Sequence, residues 1–219
     1  GEAVVVPYLR EQGVRRIDTL VLSHADQDHV GGLPGLAAQL PIDRILAGEP
    51  GEMADPRAEP CLAGQGWTWD GVDFAVLYPF QAGLEGNDSS CVLRVATQGA
   101  SLLVPGDLGQ APERQLARRG GLTTPLLVAD HHGSNTSSSR EFLAAVTPVW
   151  VLYASGFANR FGFPSARVRE RVAAVGAREL NTAEAGAIGF VLTTTGLAGP
   201  ELYREAQPRL WSWRPRGER

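Results

Sequence analysis

Four potential metal ligands fall within the six residues His24-Ala25-Asp26-Gln27-Asp28-His29, and two glycines follow at 31–32. Imidazole and carboxylate groups are the usual protein ligands of the divalent ions that catalyse hydrolysis. The alternating spacing directs His24 and Asp26 to one position, and Asp28 and His29 to a second. A polar surface loop is the alternative interpretation, but half of the four histidines of the chain lie in this segment. The segment therefore predicts a metal centre.

The other two histidines are adjacent, in Asp130-His131-His132-Gly133-Ser134. Both histidine clusters directly follow predicted buried strands, where ligand-binding loops tend to lie. Asp107 follows a third such strand, and its carboxylate is a candidate bridge between two metal ions, although a Gly-Asp pair alone is only a turn signal. We expect Asp28, His29, Asp107 and one of the adjacent histidines to converge on a single site.

Hydrophobic periodicity predicts the elements that position these groups. Apolar and β-branched runs predict strands at 17–23, 43–47, 73–78, 91–96, 101–104, 125–129 and 149–154. Helices are predicted at 3–12, 30–39, 110–119, 139–146 and from Pro164 or Ser165 to 175, with a closing hairpin at 187–195 and 200–204. Residues 49–70 are rich in Gly, Pro and Glu and are predicted to be loop. Strands clustered between helices indicate an α/β fold with helices flanking a mixed sheet.

The composition limits the possible classes. The chain has 219 residues, 43% hydrophobic and 20% charged, which suits one large domain or two small ones and excludes long disorder, collagen and coiled coil. No apolar run approaches the roughly 20 residues of a membrane span. The net charge of −4 excludes a strongly cationic nucleic-acid-binding protein. The chain starts at Gly1 and its one methionine is Met53, so we expect a fragment of a longer protein.

The two cysteines, Cys61 and Cys91, are too few for a zinc ribbon. One interpretation is a pair of unrelated buried thiols. The other interpretation, and the one that we predict, is a disulfide, which would close a loop of about 30 residues and stabilise the fold by about 3–4 kcal/mol in the chain-entropy model. Because such a bond persists only in an oxidising compartment, it would place the domain on the extracytoplasmic side of a membrane.

The sequence resembles the metallo-β-lactamase superfamily in three motifs: His-x-Asp-x-Asp-His-x-Gly-Gly at 24–32, Pro-Gly-Asp at 105–107 and His-His-Gly-Ser at 131–134. With the segments 87–93 and 159–162, it is more narrowly similar to the C-terminal domain of ComEC-type competence proteins, which internalise DNA. The resemblance implies an αββα sandwich that lacks the family's N-terminal strands in this chain. It also implies a domain at 1–203 of a larger membrane protein, followed by a basic and aromatic tail at 204–219.

The resemblance implies a role for each candidate ligand, residue by residue. The first metal ion would be bound by His24 and Asp26, and the second by Asp28 and His29. Asp107 would be the bridging carboxylate. The pair His131 and His132 would serve as ligand or proton donor. The family usually has histidine where Asp26 stands, and many relatives have histidine where Phe163 stands, so the first metal position is expected to be weak or vacant. The carboxylate-rich set implies two divalent ions, Mn²⁺, Mg²⁺ or Zn²⁺, and no small-molecule cofactor.

The resemblance further implies a metal-dependent nuclease that degrades the non-transported DNA strand during competence uptake, with Asp28, His131 and His132 as catalytic residues. Relatives that act on nucleic acids use two metal ions to hold the scissile phosphate and activate water. The alternative is a non-catalytic DNA-binding or channel-gating module with a degenerate metal site. Hydrolysis of another bond, such as a lactam or thioester, is a third interpretation. The expected partners are DNA and the transmembrane and N-terminal domains of the same protein, in the inner membrane.

Three residues are candidate contacts to the substrate. Arg160 either holds a flanking phosphate or is a solvated loop charge, and Asn159 precedes it in the same loop. Ser134, like Ser137 to Ser139, either gives a hydroxyl to phosphate or helps to cap the next helix. The tail at 204–219, with Trp211 and Trp213, either binds single strands by charge and stacking or packs against the body of the domain.

Overall fold

The computed structural model describes residues 1–207 of the chain. Within them the strands are β1 (Ile17–Leu22), β2 (Ile42–Ala47), β3 (Glu59–Pro60), β4 (Gly66–Trp69), β5 (Val72–Tyr78), β6 (Val92–Ala96), β7 (Ser101–Val104), β8 (Leu126–Val128), β9 (Trp150–Tyr153), β10 (Arg178–Asn181), β11 (Ile188–Thr193) and β12 (Gly196–Leu202). The helices of the same part are α1 (Val5–Glu11), α2 (Gln27–Val30), α3 (Leu33–Ala37), α4 (Gln110–Arg119), α5 (Arg140–Val146), α6 (Ala166–Ala174), α7 (Thr182–Ala185) and α8 (Tyr203–Ala206). None of these helices has the length and apolar character needed to cross a membrane.

The strands form three sheets, with the orders β1-β2-β3, β10-β9-β8-β7-β6-β5-β4 and β11-β12. The predicted α/β class is therefore confirmed. The chain forms two compact units: the first contains residues 1–66, 75–93 and 105–108, and the second contains the other described residues. The expected boundary between a domain at 1–203 and a tail remains a prediction.

The first unit contains a parallel pair of strands that places two loops at one edge. β1 and β2 pair in register from Ile17 with Ile42 to Leu22 with Ala47, so their carboxyl ends coincide. The segment between them carries α2 and α3, as a parallel connection requires. The apolar faces of these elements form one core, made of Val6, Leu22, Leu33, Leu36, Leu40, Ile42, Ile45, Ala47 and Met53. This core fixes the strand ends from which the histidine motif emerges.

The second unit is built on four parallel strands. β7 pairs with β8, β8 with β9 and β9 with β10, and helices connect them along the chain. Ser139 and Ser165 cap the helices that start at Arg140 and Ala166, each by accepting a backbone N–H at 3.3 Å. The predicted helices, one capped within Ser137 to Ser139 and one starting at Pro164 or Ser165, are confirmed. A hairpin of β11 and β12 follows, also as predicted.

Two predictions about local structure were wrong, and two elements were missed. The continuous helix over 30–39 is replaced by α2 and the short α3, because Gly31 and Gly32 interrupt the helix and Pro34 favours a new helical start. The loop at 49–70 contains β3 and β4, and the alternating Gly-Trp-Thr-Trp sequence of β4 is a strand pattern. β10 and α7 were not predicted at all.

The proposed C-terminal tail is described only in part. Residues 204–206 belong to α8. Residues 208–219, with Trp211 and Trp213, lie outside the described residues, so their role in binding single strands stays a prediction.

Candidate metal centre

The hydroxyl of Ser23, just past the end of β1, organises both histidines of the motif. Its oxygen lies 3.1 Å from Nδ1 of His24 and 2.9 Å from Nδ1 of His29. A hydroxyl oxygen has two lone pairs and can accept an N–H from each ring. That arrangement turns the Nε2 side of both imidazoles away from Ser23, with the rings fixed in orientation as in known metal sites.

His24 is fully buried and its Nε2 makes no hydrogen bond to any residue in 1–207. The Oδ2 atom of Asp26 lies 3.4 Å from this nitrogen, on a side chain that is 60% exposed. Burial, and after it the neighbouring His29, holds the pKa of His24 below its usual value. A neutral buried imidazole beside an exposed carboxylate is a suitable pair of donors for a divalent ion.

His29 lies between two carboxylates. Its Nε2 is 3.3 Å from Oδ1 of Asp107 and 3.6 Å from Oδ2 of Asp28. One ligand atom from each of these three residues lies within 4.8 Å of the others. Burial lowers the pKa of His29, but the hydrogen bond to Asp107 and the charge of that carboxylate outweigh it, so the pKa is raised. The two imidazole centroids are 4.2 Å apart, which makes the two donor groups neighbours.

Asp107 is held by the turn that carries it. Its backbone N–H donates to Oγ of Ser90 at 3.1 Å, and the residue is buried. The preceding Gly106 has φ +68°, and a Cβ at this position would lie 2.8 Å from Cβ of Ser23. Only glycine fits both the left-handed backbone and this close approach. The Pro-Gly-Asp motif thus delivers a carboxylate next to the residue that orients the histidines.

A second acidic residue, Glu49, stabilises the backbone of the histidine motif through hydrogen bonds. Its Oε2 accepts the N–H of Ala25 at 2.9 Å and the hydroxyl of Ser89 at 3.0 Å, while Oε1 accepts the N–H of Gly86 at 2.9 Å. Burial raises the pKa of Glu49, but the hydrogen bonds from Gly86 and Ala25 outweigh it and the pKa is lowered. The ionised carboxylate therefore fixes the backbone between His24 and Asp26.

Cys61 and Cys91 form a disulfide that joins two segments beside the motif, with their Cα atoms 5.9 Å apart. The N–H of Cys61 donates to the carbonyl of Ala47, and the N–H of Cys91 donates to the carbonyl of Ser23, both at 2.9 Å. The bond therefore crosslinks the chain at the carboxyl ends of β1 and β2, from which the supporting residues extend.

The second unit holds the adjacent histidines in a strained turn. His131 and His132 both have left-handed backbones, with φ 47° and 56°, which cost energy for residues other than glycine. Nδ1 of His132 donates to the carbonyl of Ala154 at 2.9 Å, because a carbonyl oxygen only accepts. This bond fixes the orientation of the His132 ring. Backbone strain at both histidines, together with the fixed ring of His132, indicates a functional turn.

A comparison with protein families identifies the architecture that carries these residues. Residues 2–156 match the family model described as the metallo-beta-lactamase superfamily. The chain belongs to the metallo-beta-lactamase superfamily. The matched region contains the motif of the first unit, Asp107 and the strained histidine turn.

Among curated proteins, this metallo-beta-lactamase domain is similar to competence proteins. It is 44% identical to Competence protein ComA of Neisseria gonorrhoeae over 90% of this chain and 28% of that protein. It is 32% identical to Recombination protein 2 of Haemophilus influenzae over 86% of this chain and 24% of that protein. The chain thus spans about a quarter of the length of these relatives. The similarities confirm the predicted resemblance to ComEC-type proteins.

Solved structures show the same fold. The metallo-beta-lactamase fold protein YhfI of Bacillus subtilis superposes with a TM-score of 0.50 at 12% sequence identity, covering 81% of this chain and 78% of that one. At this identity the likeness concerns the fold alone. It agrees with the mixed sheets and helices described above.

The donors of the first unit fit the divalent ions that this superfamily generally binds. The buried His24 Nε2 lacks a hydrogen-bond partner within residues 1–207, and Asp26 lies beside it. Asp28, His29 and Asp107 form the adjoining group. Two imidazoles and three carboxylates suit Mn²⁺, Mg²⁺ or Zn²⁺ better than a soft ion, since no thiolate is present among them.

The structure places the three expected substrate contacts in the second unit. Asn159 exchanges hydrogen bonds with the backbone of Phe163 at 2.9 and 2.8 Å, so its amide shapes its own loop. The Ser134 hydroxyl is buried and bonds to that of Thr136 at 3.0 Å, which is a local turn contact. The Arg160 guanidinium stacks on the ring of Phe161 at 4.8 Å. Of the three, Arg160 has the group best placed to meet a phosphate.

Two supporting residues were missed by the sequence analysis. Ser23 ends the predicted strand 17–23, and a signal for it existed: it is the hydroxyl residue directly before His24. Glu49 was assigned to a loop, yet it follows β2 as His24 follows β1. Parallel strands bring residues at such equivalent places to one edge of a sheet, so the pairing of β1 with β2 was the missing information.

Proposed function

We propose that this domain hydrolyses DNA phosphodiester bonds with the help of divalent ions, as the nuclease of a competence protein that degrades the non-transported strand. The observation that carries the proposal is the Ser23 hydroxyl bonded to both His24 and His29, which presents two imidazoles beside three carboxylates. The competence names of its relatives supply the context of DNA uptake.

We further propose that His132 completes this centre as a ligand or proton donor. β7 and β8 are parallel neighbours with Leu102 opposite Leu126 and Leu103 opposite Leu127. Asp107 follows the end of β7 by three residues, and His132 follows the end of β8 by four. Parallel strands deliver such residues to the same edge, which supports a common site.

The residues of the domain would divide the work of hydrolysis. Bound divalent ions would lower the pKa of the attacking water and neutralise the charge that develops on the phosphate. Asp28, exposed beside His29, is placed to accept the proton of that water. His132 would return a proton to the leaving oxygen. Asp107, buried and fixed by Ser90, would hold its charge in place without reorganisation.

The second candidate function is a DNA-binding module that does not cleave. The observation that favours it is Phe163, whose ring packs edge-on against His131 with centroids 5.9 Å apart. A phenyl ring cannot bind a metal ion, so the domain lacks a ligand at this place. This alternative predicts DNA binding without products in every metal.

The proposal is tested by stripping the purified chain with a chelator and adding Mn²⁺, Mg²⁺ or Zn²⁺ to labelled single-stranded and duplex DNA. We expect cleavage with at least one ion and none in the chelator. Asp107→Asn keeps the size of the side chain and the backbone bond to Ser90, and we expect it to abolish cleavage. Products that form equally in the chelator or with Asp107→Asn would refute the assignment. Binding without products would favour the module.

We also propose that the domain is part of an inner-membrane protein and faces the extracytoplasmic side. The Cys61–Cys91 disulfide supports this placement, because a structural disulfide persists outside the reducing cytosol. Its partners would then be incoming DNA and the remaining domains of the same protein.

A further inference from the structure

An exposed aromatic loop lies directly beside the strained histidine turn of the second unit. Phe157 and Phe161, in the connection between β9 and α6, are 57% and 64% exposed. Exposure of such large aromatic side chains is unfavourable compared with burial against an apolar surface, and it therefore indicates a binding role. The catalytic groups named above leave these rings unused.

The loop is rigid for its length. The Asn159 side chain both accepts from the N–H of Phe163 and donates to its carbonyl, and the N–H of Gly162 donates to the carbonyl of Asn159 at 3.2 Å. Gly162 adopts φ +68°, which closes the turn. Phe161 is thus held outward by its own loop and its ordering costs little on binding.

The loop is also fastened to the histidine turn. The N–H of Ser165 donates to the carbonyl of Gly133 at 2.9 Å. A Cβ at Gly133 would lie 2.7 Å from Cβ of Pro164, so the two segments are in close contact and only glycine fits. Whatever binds at the aromatic loop is therefore held at a fixed place relative to His131 and His132.

Three aromatic rings contact one another in sequence from the histidine turn to the solvent. The His131 ring packs edge-on against Phe163, and Phe163 stacks on Phe161 with centroids 5.5 Å apart and planes 18° from parallel. At the outer end, the Arg160 guanidinium lies over the Phe161 ring. An exposed cation–π contact of this kind is weak and can be displaced. Arg167, also exposed, follows at the start of α6.

We infer that Phe161 is a stacking platform for an unpaired base, with Arg160 and Arg167 meeting the adjoining phosphates, so that the domain selects single-stranded DNA. The inference deepens the proposed function and rests on it. Bases stack on exposed aromatic rings irrespective of sequence, while arginines follow the backbone. In a duplex each base is already stacked on its neighbours, so the ring has nothing to receive. When a base takes the face that Arg160 covers, the guanidinium is released toward phosphate.

The inference is tested by fluorescence anisotropy of the chain in a chelator, so that no cleavage occurs, with a labelled twenty-residue thymidine oligonucleotide and a hairpin duplex as probes. Removal of one stacking ring costs single-strand binding about 1–3 kcal/mol, which is about a 5- to 150-fold loss of affinity. We expect that loss for Phe161→Leu on the single strand and less than about a twofold change on the duplex. Phe161→Trp keeps a ring and should retain affinity for the single strand.

Three outcomes would overturn the inference. In the first, Phe161→Leu keeps its affinity for the single strand, which means that the side chain acts only by apolar packing. In the second, the variant loses affinity equally for both probes, which means that the loop recognises only the DNA backbone. In the third, the variant changes the oligomeric state while DNA binding stays intact, which means that the rings contact a second copy of the chain.

A separate reaction distinguishes this inference from the proposed function. Methyl p-nitrophenyl phosphate is a phosphodiester without a base, and its hydrolysis with Mn²⁺ should be the same in Phe161→Leu and the native chain. If the native chain does not hydrolyse DNA or this diester, the proposed nuclease fails, while the anisotropy still decides whether Phe161 stacks on bases.

Discussion

Replacement of Asp28 with alanine is expected to lower metal-dependent DNA cleavage by about 10²–10⁴-fold, the range for a group that takes part in proton transfer. The side chain is 65% exposed and lies 3.6 Å from the Nε2 of His29. Because it is exposed, its removal should change the free energy of unfolding by no more than about 0.5 kcal/mol. The rate of cleavage of a labelled oligonucleotide, measured beside urea unfolding, checks both values.

Asp18→Ala is the matched control for this variant. Asp18 lies on β1, its side chain is 54% exposed and it pairs with Arg16, away from the histidine motif. Its removal changes the net charge by the same amount and should leave cleavage unaffected. Unchanged cleavage by folded Asp28→Ala would show that the activity belongs to another site or to a contaminant.

Ser23→Ala is expected to weaken metal binding by about 10- to 100-fold, as is typical when a group that orients metal-binding histidines is removed. The variant takes away the single oxygen that holds Nδ1 of both His24 and His29. Both rings then lose their fixed orientation and a buried bonding partner. Titration of the chelator-stripped chain with Mn²⁺ by calorimetry measures the change.

Ser139→Ala controls for the general loss of a buried serine hydroxyl. Ser139 is 3% exposed and caps α5, so the substitution costs about 1 kcal/mol of stability but touches none of the proposed ligands. We expect its Mn²⁺ affinity to equal that of the native chain. Equal affinities of Ser23→Ala and the native chain would show that Ser23 does not orient the donors.

The donors could be predicted because their residue types and their placement after strands are both local features of sequence. His24, Asp26, Asp28 and His29 occupy six consecutive residues, and apolar β-branched runs mark the strand before them. The structure brings Asp107 to His29 at 3.3 Å as the strand-end rule suggested. Most of the parallel strands could also be predicted, because buried strands are continuous apolar runs in the sequence.

Other features depend on pairing that the sequence does not display. Glu49 reaches Ala25 only because β1 and β2 pair in parallel with coincident ends. The helix predicted over 30–39 is not continuous, because the low helix propensity of two glycines and the preference of proline for a helix start outweigh the apolar spacing. The left-handed backbones of His131 and His132 could not be predicted from the sequence either, because tertiary contacts impose a conformation that histidine itself disfavours.

Metal content, measured by mass spectrometry on the domain saturated with Mn²⁺ and then freed of loosely bound ions, tests the metal centre most directly. The donor group around His29 predicts at least one ion per chain, and the neighbouring group around His24, the position expected to be weak, predicts up to one more. Asp107→Asn should hold fewer than one, because this buried carboxylate is expected to bridge the pair. A native chain that holds no divalent ion, or an Asp107→Asn chain that holds as many as the native one, would contradict the assignment of these residues as a metal centre.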